Sequence, residues 1–288
     1  MRLVALAAMW GASYLFMRYA VPYLGPIPMI EMRVLFAGLA LAAFVAAKGE
    51  AIGWRRHWRG YLFVGVIGLA LPFVLIAEAL TSIDASTAAI LNALSPLFAS
   101  IVAAVWIRDP ITPAKAGGIA LCLVGTAVLV GWTPTPMTSK ELLAAAMSVA
   151  ATVVYGFTIV FTKVKLKGAS PIGTSAATLL CAGLALLPLT PLRHDFSAVP
   201  PMAWLALAGL ALISTVFAFI LYYRLIADIG PVKTITVTLL VPIFGMLWGV
   251  IFLGEPVTPG RLAGCAIILA GCALILGLAR FPARLAAK

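Results

Sequence analysis

The chain has 288 residues, of which 64% are hydrophobic and 10% charged, with a formal net charge of +11. Soluble domains carry about 25% charged residues, so there is too little charge here to coat a water-facing surface. The basic excess does not read as nucleic-acid binding, because it collects on one side of a series of apolar runs.

Ten such runs follow one another, at residues 3–19, 29–47, 60–80, 85–107, 113–132, 142–162, 172–190, 202–225, 232–253 and 261–278. Each is near the length of about 20 residues that a bilayer-spanning helix needs. The sequence therefore predicts an all-α integral membrane protein with ten transmembrane helices. The first run passes from Arg2 into Trp10, Tyr14 and Tyr19 without a polar break, which reads as a retained helix and not a cleaved leader. The second holds Glu31 and Arg33, charges that are costly in a membrane and usually face a partner or a cavity. The third ends near Glu78, the one carboxylate placed to bind a proton or a polar substrate group; no Asp or Glu occupies the middle of any run.

The fourth run contains Asn92 and Pro96, and the ninth repeats the pattern as Thr238 and Pro242. A helical proline cannot donate to the carbonyl four residues earlier. Pro96 and Pro242 are thus expected to break their helices, to free the carbonyls of Asn92 and Thr238, and to act as hinges. A kink used only for packing would look the same in one helix; its repetition beside a polar residue favours a functional role. The sixth run carries Tyr155, Phe157 and Thr158, the eighth Tyr222 and Arg224, the ninth Phe244 and Trp248. These rings read either as a cavity lining or as ordinary packing and interfacial residues.

The proline motif belongs to a longer duplication. Residues 92–131 reappear at 238–277: Phe98 returns as Phe244, Asp109-Pro110 as Glu255-Pro256, Lys115 as Arg261, Gly118 as Gly264 and Gly125 as Gly271. More weakly, Trp10-Gly11 returns as Tyr155-Gly156, Ser13 as Thr158, Phe16 as Phe161 and Arg18 as Lys163. Each copy spans five runs. Five is odd, so the second copy starts on the opposite side of the membrane and runs inverted. The expected units are residues 1–135 and 136–288, joined at Thr133-Pro134-Thr135-Pro136. Gly245 with Gly249, and Gly260 with Gly264, form GxxxG spacings suited to close helix packing.

With the N-terminus placed in the cytoplasm, fifteen basic residues fall inside and four (Arg18, Lys140, Arg193 and Arg261) outside, with Arg33 in a span. That bias sets both termini in the cytoplasm and gives the surface some affinity for anionic lipid. The four cysteines lie within apolar runs and the two histidines, His57 and His194, lie far apart. No metal site, cofactor or catalytic group is expected.

Trp10-Gly11, Arg33, the run Ala88…Pro96…Asp109-Pro110…Gly118…Gly125 and its echo Pro242…Glu255-Pro256…Gly264…Gly271 resemble the EamA-type exporters of the drug/metabolite transporter superfamily. Length and ring-rich spans are similar to the YddG-like aromatic amino acid exporters. Asp109, where the pattern more often has Glu, and a seventh run without an arginine matching Arg33 depart from it. The resemblance implies a bacterial inner-membrane secondary transporter that exports amino acids by alternating access. It also implies a cavity between the first, third, fourth, sixth, eighth and ninth helices. Trp10, Tyr14, Tyr155, Tyr222 and Trp248 would pack against a large apolar or aromatic side chain, and Glu78, Asn92, Thr158 and Thr238 would meet polar groups. The partners are a small-molecule substrate and membrane lipid, with no nucleic acid, and the protein is expected as a monomer, or alternatively a dimer. A broad drug or nucleoside-type efflux protein of the same fold is the alternative.

Overall fold

The computed structural model describes residues 1–133, 136–190 and 196–278. Pro134 and Thr135 of the expected linker, His194, and Arg193, Arg280, Arg284 and Lys288 of the charge pattern lie outside the described residues. Within them every regular element is helical. Eight helices are long and apolar enough to cross a membrane: α1 (Arg2–Leu24), α2 (Pro26–Ala47), α3 (Trp54–Ala79), α4 (Ala85–Trp106), α5 (Pro113–Gly131), α6 (Ser139–Lys165), α7 (Pro171–Leu189) and α8 (Pro201–Ile229). Two shorter apolar helices follow, α9 (Val237–Leu253) and α10 (Pro259–Ile275). Each coincides with one of the ten apolar runs.

Local chemistry explains the boundaries. The Thr112, Ser170 and Thr258 hydroxyls accept from backbone N–H groups at the starts of α5, α7 and α10, each of which also begins with proline. Thr138 and Glu141 form a reciprocal capping box at the start of α6. Between α1 and α2 stands only Gly25, at φ 74, a backbone angle that glycine adopts without the penalty other residues meet.

Three helices are irregular. α3 widens into a π-helix over Val64–Ala70 and α8 does so over Leu212–Phe217, turns that are frequent at functional sites. α4 is broken: one piece runs Ala85–Asn92, the next Ser95–Trp106. Pro96 sits in the first turn of the second piece, where its missing N–H is tolerated. The expectation for Pro242 is corrected. It lies inside a continuous α9, and the turn there falls earlier, at Ile235–Thr236, after a short helical piece Pro231–Thr234. The duplicated proline therefore marks two different local structures.

The most extensive helix pairs are α5 with α10 and α2 with α7, followed equally by α1 with α9 and α4 with α6, each joining a helix from the first matched stretch of sequence to one from the second. Their contacts are reciprocal. A methyl group added at Gly118 would lie 2.6 Å from the Gly271 carbonyl oxygen, and one at Gly125 would lie 3.1 Å from that of Gly264. Gly38 abuts Leu180 while Gly183 abuts Leu35. A methyl group at Gly11 of α1 would come within 2.7 Å of Phe244 Cβ in α9, and one at Gly156 of α6 within 2.7 Å of Phe98 Cβ in α4. In lipid, where apolar surface gains nothing from leaving water, such close approach supplies the dispersion contacts that hold helices together. All four cysteines are buried free thiols. Cys122 and Cys272 meet at the α5–α10 crossing with 3.7 Å between sulfurs.

Candidate functional site

A cavity of about 650 Å³ lies within the bundle, inside the range of about 300–1,000 Å³ common for small-molecule sites. Helices α1, α3, α4, α6, α8 and α9 all contribute to it, as do Arg33 of α2 and residues at the ends of α5 and α10. Of the residues picked out in the sequence, Trp10, Tyr14, Asn92, Pro96, Tyr155, Thr238 and Pro242 line this space. Ser13, Phe73 and Ser214 join them. Leu69 and Ser214 belong to the two π turns, so both irregular segments deliver side chains to the cavity.

The aromatic wall is held by ring contacts. Trp10 packs against Tyr222 at 5.3 Å between centroids and edge-on to Phe219 at 6.5 Å. Tyr155 meets Phe73 edge-on at 6.3 Å, and the Ser214 hydroxyl donates to the Met9 carbonyl at 2.7 Å, tying the π turn of α8 to α1.

Polar groups at the α4 break are mostly satisfied. The Asn92 carbonyl, expected to be left open by Pro96, accepts from the Ser95 hydroxyl at 2.8 Å. The next carbonyl, of Ala93, receives the Cys272 thiol at 3.0 Å. The free carbonyl at Asn92 is therefore corrected: the protein supplies its own donor. What does stay open is one side-chain atom: the Asn92 Oδ1 is buried without a hydrogen-bond partner, although the same amide lies beside the Tyr14 hydroxyl. Leaving such an atom unmade costs about 1–3 kcal/mol, and in a cavity wall a ligand donor can recover it. Thr238 reaches the cavity, but its hydroxyl donates to the Ile235 carbonyl at 2.8 Å, leaving it as an acceptor.

Four expected site residues stand elsewhere. Trp248 lines a separate, apolar groove with Phe16 and Phe252, and its indole N–H donates to the Ala8 carbonyl at 3.0 Å. Thr158 is buried between α6 and α3, against Gly68, with its hydroxyl donating back to the Val154 carbonyl at 2.7 Å. Tyr222 supports Trp10 from behind without lining the cavity. Glu78 is exposed at the end of α3, off the cavity. Glu78→Gln is accordingly expected to leave the affinity for any cavity ligand unchanged in equilibrium binding, and a loss there would return this carboxylate to the site.

The cavity extends to Asp109, Lys115 and Lys163 at one end of the bundle. Lys115 Nζ pairs with Asp109 at 3.0 Å. At the other end, links cross between the matched stretches. Glu255 is 7% exposed; its carboxylate accepts from the Ala85 N–H at 2.7 Å, the Ser86 N–H at 2.9 Å and the Ser86 hydroxyl. It thereby caps the start of α4, a position that favours negative charge. Arg261 pairs with Asp84, and the Thr190 hydroxyl donates to Glu31 at 2.6 Å; within the first stretch, Arg18 donates to the Leu80 carbonyl. Among the described residues no group of three His, Cys, Asp or Glu side chains is arranged to hold a metal ion.

The profile of the EamA-like transporter family matches residues 2–131 and again residues 142–277. The chain is 25% identical to a probable terminal-alkyne amino-acid exporter of Streptantibioticus cattleyicolor, over 93% of this chain and 90% of that protein. It is 25% identical to an S-adenosylmethionine/S-adenosylhomocysteine transporter of Chlamydia trachomatis, over 91% and 86%. It is 27% identical to the uncharacterized inner membrane transporter YedA of Escherichia coli K12, over 98% and 92%. A solved crystal structure superposes over 99% of this chain and 98% of its own with a TM-score of 0.69 at 19% identity, a likeness of fold alone.

Proposed function

This chain belongs to the EamA-like transporter family, and from that premise we propose that it exports amino acids with large apolar or aromatic side chains by alternating access. The observation that carries the reading is the cavity itself. It combines an aromatic wall (Trp10, Tyr14, Phe73, Tyr155) with the unpartnered Asn92 Oδ1 and a charged residue, Arg33. A ring-rich wall suits an apolar side chain, while a few convergent polar groups fix a head group. Two relatives are named for cargoes with an amino-acid end, which agrees with this chemistry.

The inverted pairing of residues 1–135 with 136–288 is part of the proposal. Its support is the reciprocal helix contacts, in which Gly38 and Leu180 exchange roles with Gly183 and Leu35. In that arrangement the ends near Asp109, Lys115 and Lys163 lie on the cytoplasmic side by the charge bias, and the cavity opens there. The Glu255 and Arg261 links then close the outer side. The protein would sit in the inner membrane of a bacterium with both termini in the cytoplasm, and rocking of one half against the other would expose the cavity outward.

Purified protein in proteoliposomes loaded with unlabelled phenylalanine, tryptophan or leucine is expected to accumulate the labelled amino acid by counterflow well above protein-free vesicles. Glutamate and lysine are expected to exchange poorly. The alternative, broad efflux of lipophilic drugs, predicts instead that tetraphenylphosphonium competes while amino acids do not. That outcome would replace the amino-acid reading.

A further inference from the structure

Arg33 is a full positive charge inside an apolar bundle, 5% exposed, with no carboxylate in ion-pair range among the described residues. All its protein contacts are neutral. Nε donates to the Thr215 hydroxyl at 3.2 Å, one Nη hydrogen points to the Met17 sulfur at 3.6 Å, and the guanidinium lies 4.2 Å over the Phe73 ring. Thr215 is itself committed, donating to the Leu210 carbonyl at 2.8 Å across the π turn of α8. A guanidinium has five N–H donors, and these contacts occupy two. Burying an uncompensated charge is expensive, and intramembrane charges normally meet an opposite charge or a functional ligand. Arg33 borders the cavity, and the planar fork of a guanidinium matches a carboxylate with two parallel hydrogen bonds.

We propose that Arg33 is the carboxylate-binding residue of the cavity, and that Asn92 Oδ1 receives the ammonium of the same zwitterion. Thr215, Met17 and Phe73 then serve as the frame that points the fork. They come from α8, α1 and α3, so three helices would register the arrival of the anion. The assignment deepens the amino-acid reading and, in its ammonium half, rests on it; the anion half stands on Arg33 alone. It also predicts that a lipophilic cation is a poor cargo: the cavity already holds an unneutralised positive charge.

Three probes divide the head group: phenylalanine, 3-phenylpropionate (carboxylate only) and phenethylamine (ammonium only). Their binding to the purified full-length protein is measured by isothermal titration calorimetry. Wild type is expected to bind both carboxylate probes. Arg33→Gln is expected to weaken both by about thirty-fold or more, the scale for removing one member of a buried hydrogen-bonded charge pair, and to leave phenethylamine bound as tightly or more tightly, because a repelling positive charge is gone. Arg33→Lys, which keeps the charge but not the fork, is expected to show a smaller loss confined to the same two probes, and it serves if the glutamine variant does not fold. Asn92→Ala is expected to weaken phenylalanine and phenethylamine and to spare 3-phenylpropionate. Equal weakening of all three probes in the Arg33 variants would make the residue a packing element and overturn the assignment. Failure of wild type to bind either carboxylate would do the same. Arg33-dependent binding of 3-phenylpropionate without binding of phenylalanine would retain the anion site and remove the amino-acid cargo.

Discussion

A Glu255→Gln variant is expected to admit reagents to the cavity from the side that the Glu255 links are proposed to close, and to lose most of its export. The carboxylate has three donors around it and no ion pair among the described residues. Asp84, which precedes α4, makes no side-chain cap and is paired with Arg261 instead; the start of α4 therefore depends on a residue from another helix pair. A glutamine in this place keeps one acceptor but turns an NH₂ group toward donors it cannot satisfy, and it removes the charge that the helix terminus favours. Hydrogen bonds to charged groups contribute about 1.5–3 kcal/mol, so a loss near 2 kcal/mol would move the closed–open balance by roughly thirty-fold. The reporter is Ser13→Cys in a background with the four buried cysteines replaced, labelled in whole cells by a membrane-impermeant maleimide. Faster labelling in the Glu255→Gln background is the expected result. Unchanged labelling with unchanged export would mean that Glu255 is only a local cap.

The second large effect concerns packing. Gly11→Leu is expected to separate α1 from α9 and to destabilise the protein by about 1–3 kcal/mol, the usual scale for overpacking a close contact. A methyl group there already meets Phe244 Cβ at 2.7 Å and the Gly245 backbone nitrogen at 2.8 Å, and backbone cannot give way as a side-chain tip can. Gly131→Ala is the control: that helical glycine has open space around it and is expected to be neutral within about 0.5 kcal/mol. Thermal unfolding of detergent-solubilised protein followed by light scattering compares the two. A Gly11→Leu midpoint equal to that of wild type would show that the α1–α9 contact yields without cost.

Much of the helical architecture is legible in the sequence because membrane helices announce themselves by length and apolarity. Pro, Gly and acidic residues recurring at a fixed offset also declare the duplication. The cavity residues on α1, α4 and α6 followed from the same pattern. Three things were not legible. The π turns at Val64–Ala70 and Leu212–Phe217 carry no local sequence mark; one seats Gly65 against Cys181 of α7, and in the other the Thr215 hydroxyl bonds back within α8 to the Leu210 carbonyl. Trp248 and Thr158 were drawn to the site by residue type, yet each spends its polar hydrogen on a backbone carbonyl, at Ala8 and Val154. Pro96 and Pro242 occupy equivalent places in the two copies, but only one interrupts its helix, because the sequence before Pro242 turns earlier, at Ile235–Thr236. Arg33 had a signal in plain sight, a charge within an apolar run; what the sequence could not disclose was the absence of a counter-ion among the described residues across the bundle.

The Glu255 clasp has a duplicate that is chemically poorer. Asp109 takes the place of Glu255 and Lys115 that of Arg261, but Gly230, Pro231 and Val232 stand where the first copy has Asp84, Ala85 and Ser86. Proline has no amide hydrogen, valine no hydroxyl and glycine no carboxylate. A carboxylate reaching that second turn would find one donor in place of three, and Lys115 would find no carboxylate at the place of Asp84; its partner is Asp109. If the halves exchange positions as proposed, the two latches are unequal, and an idle carrier waits with its mouth toward the side that loads it.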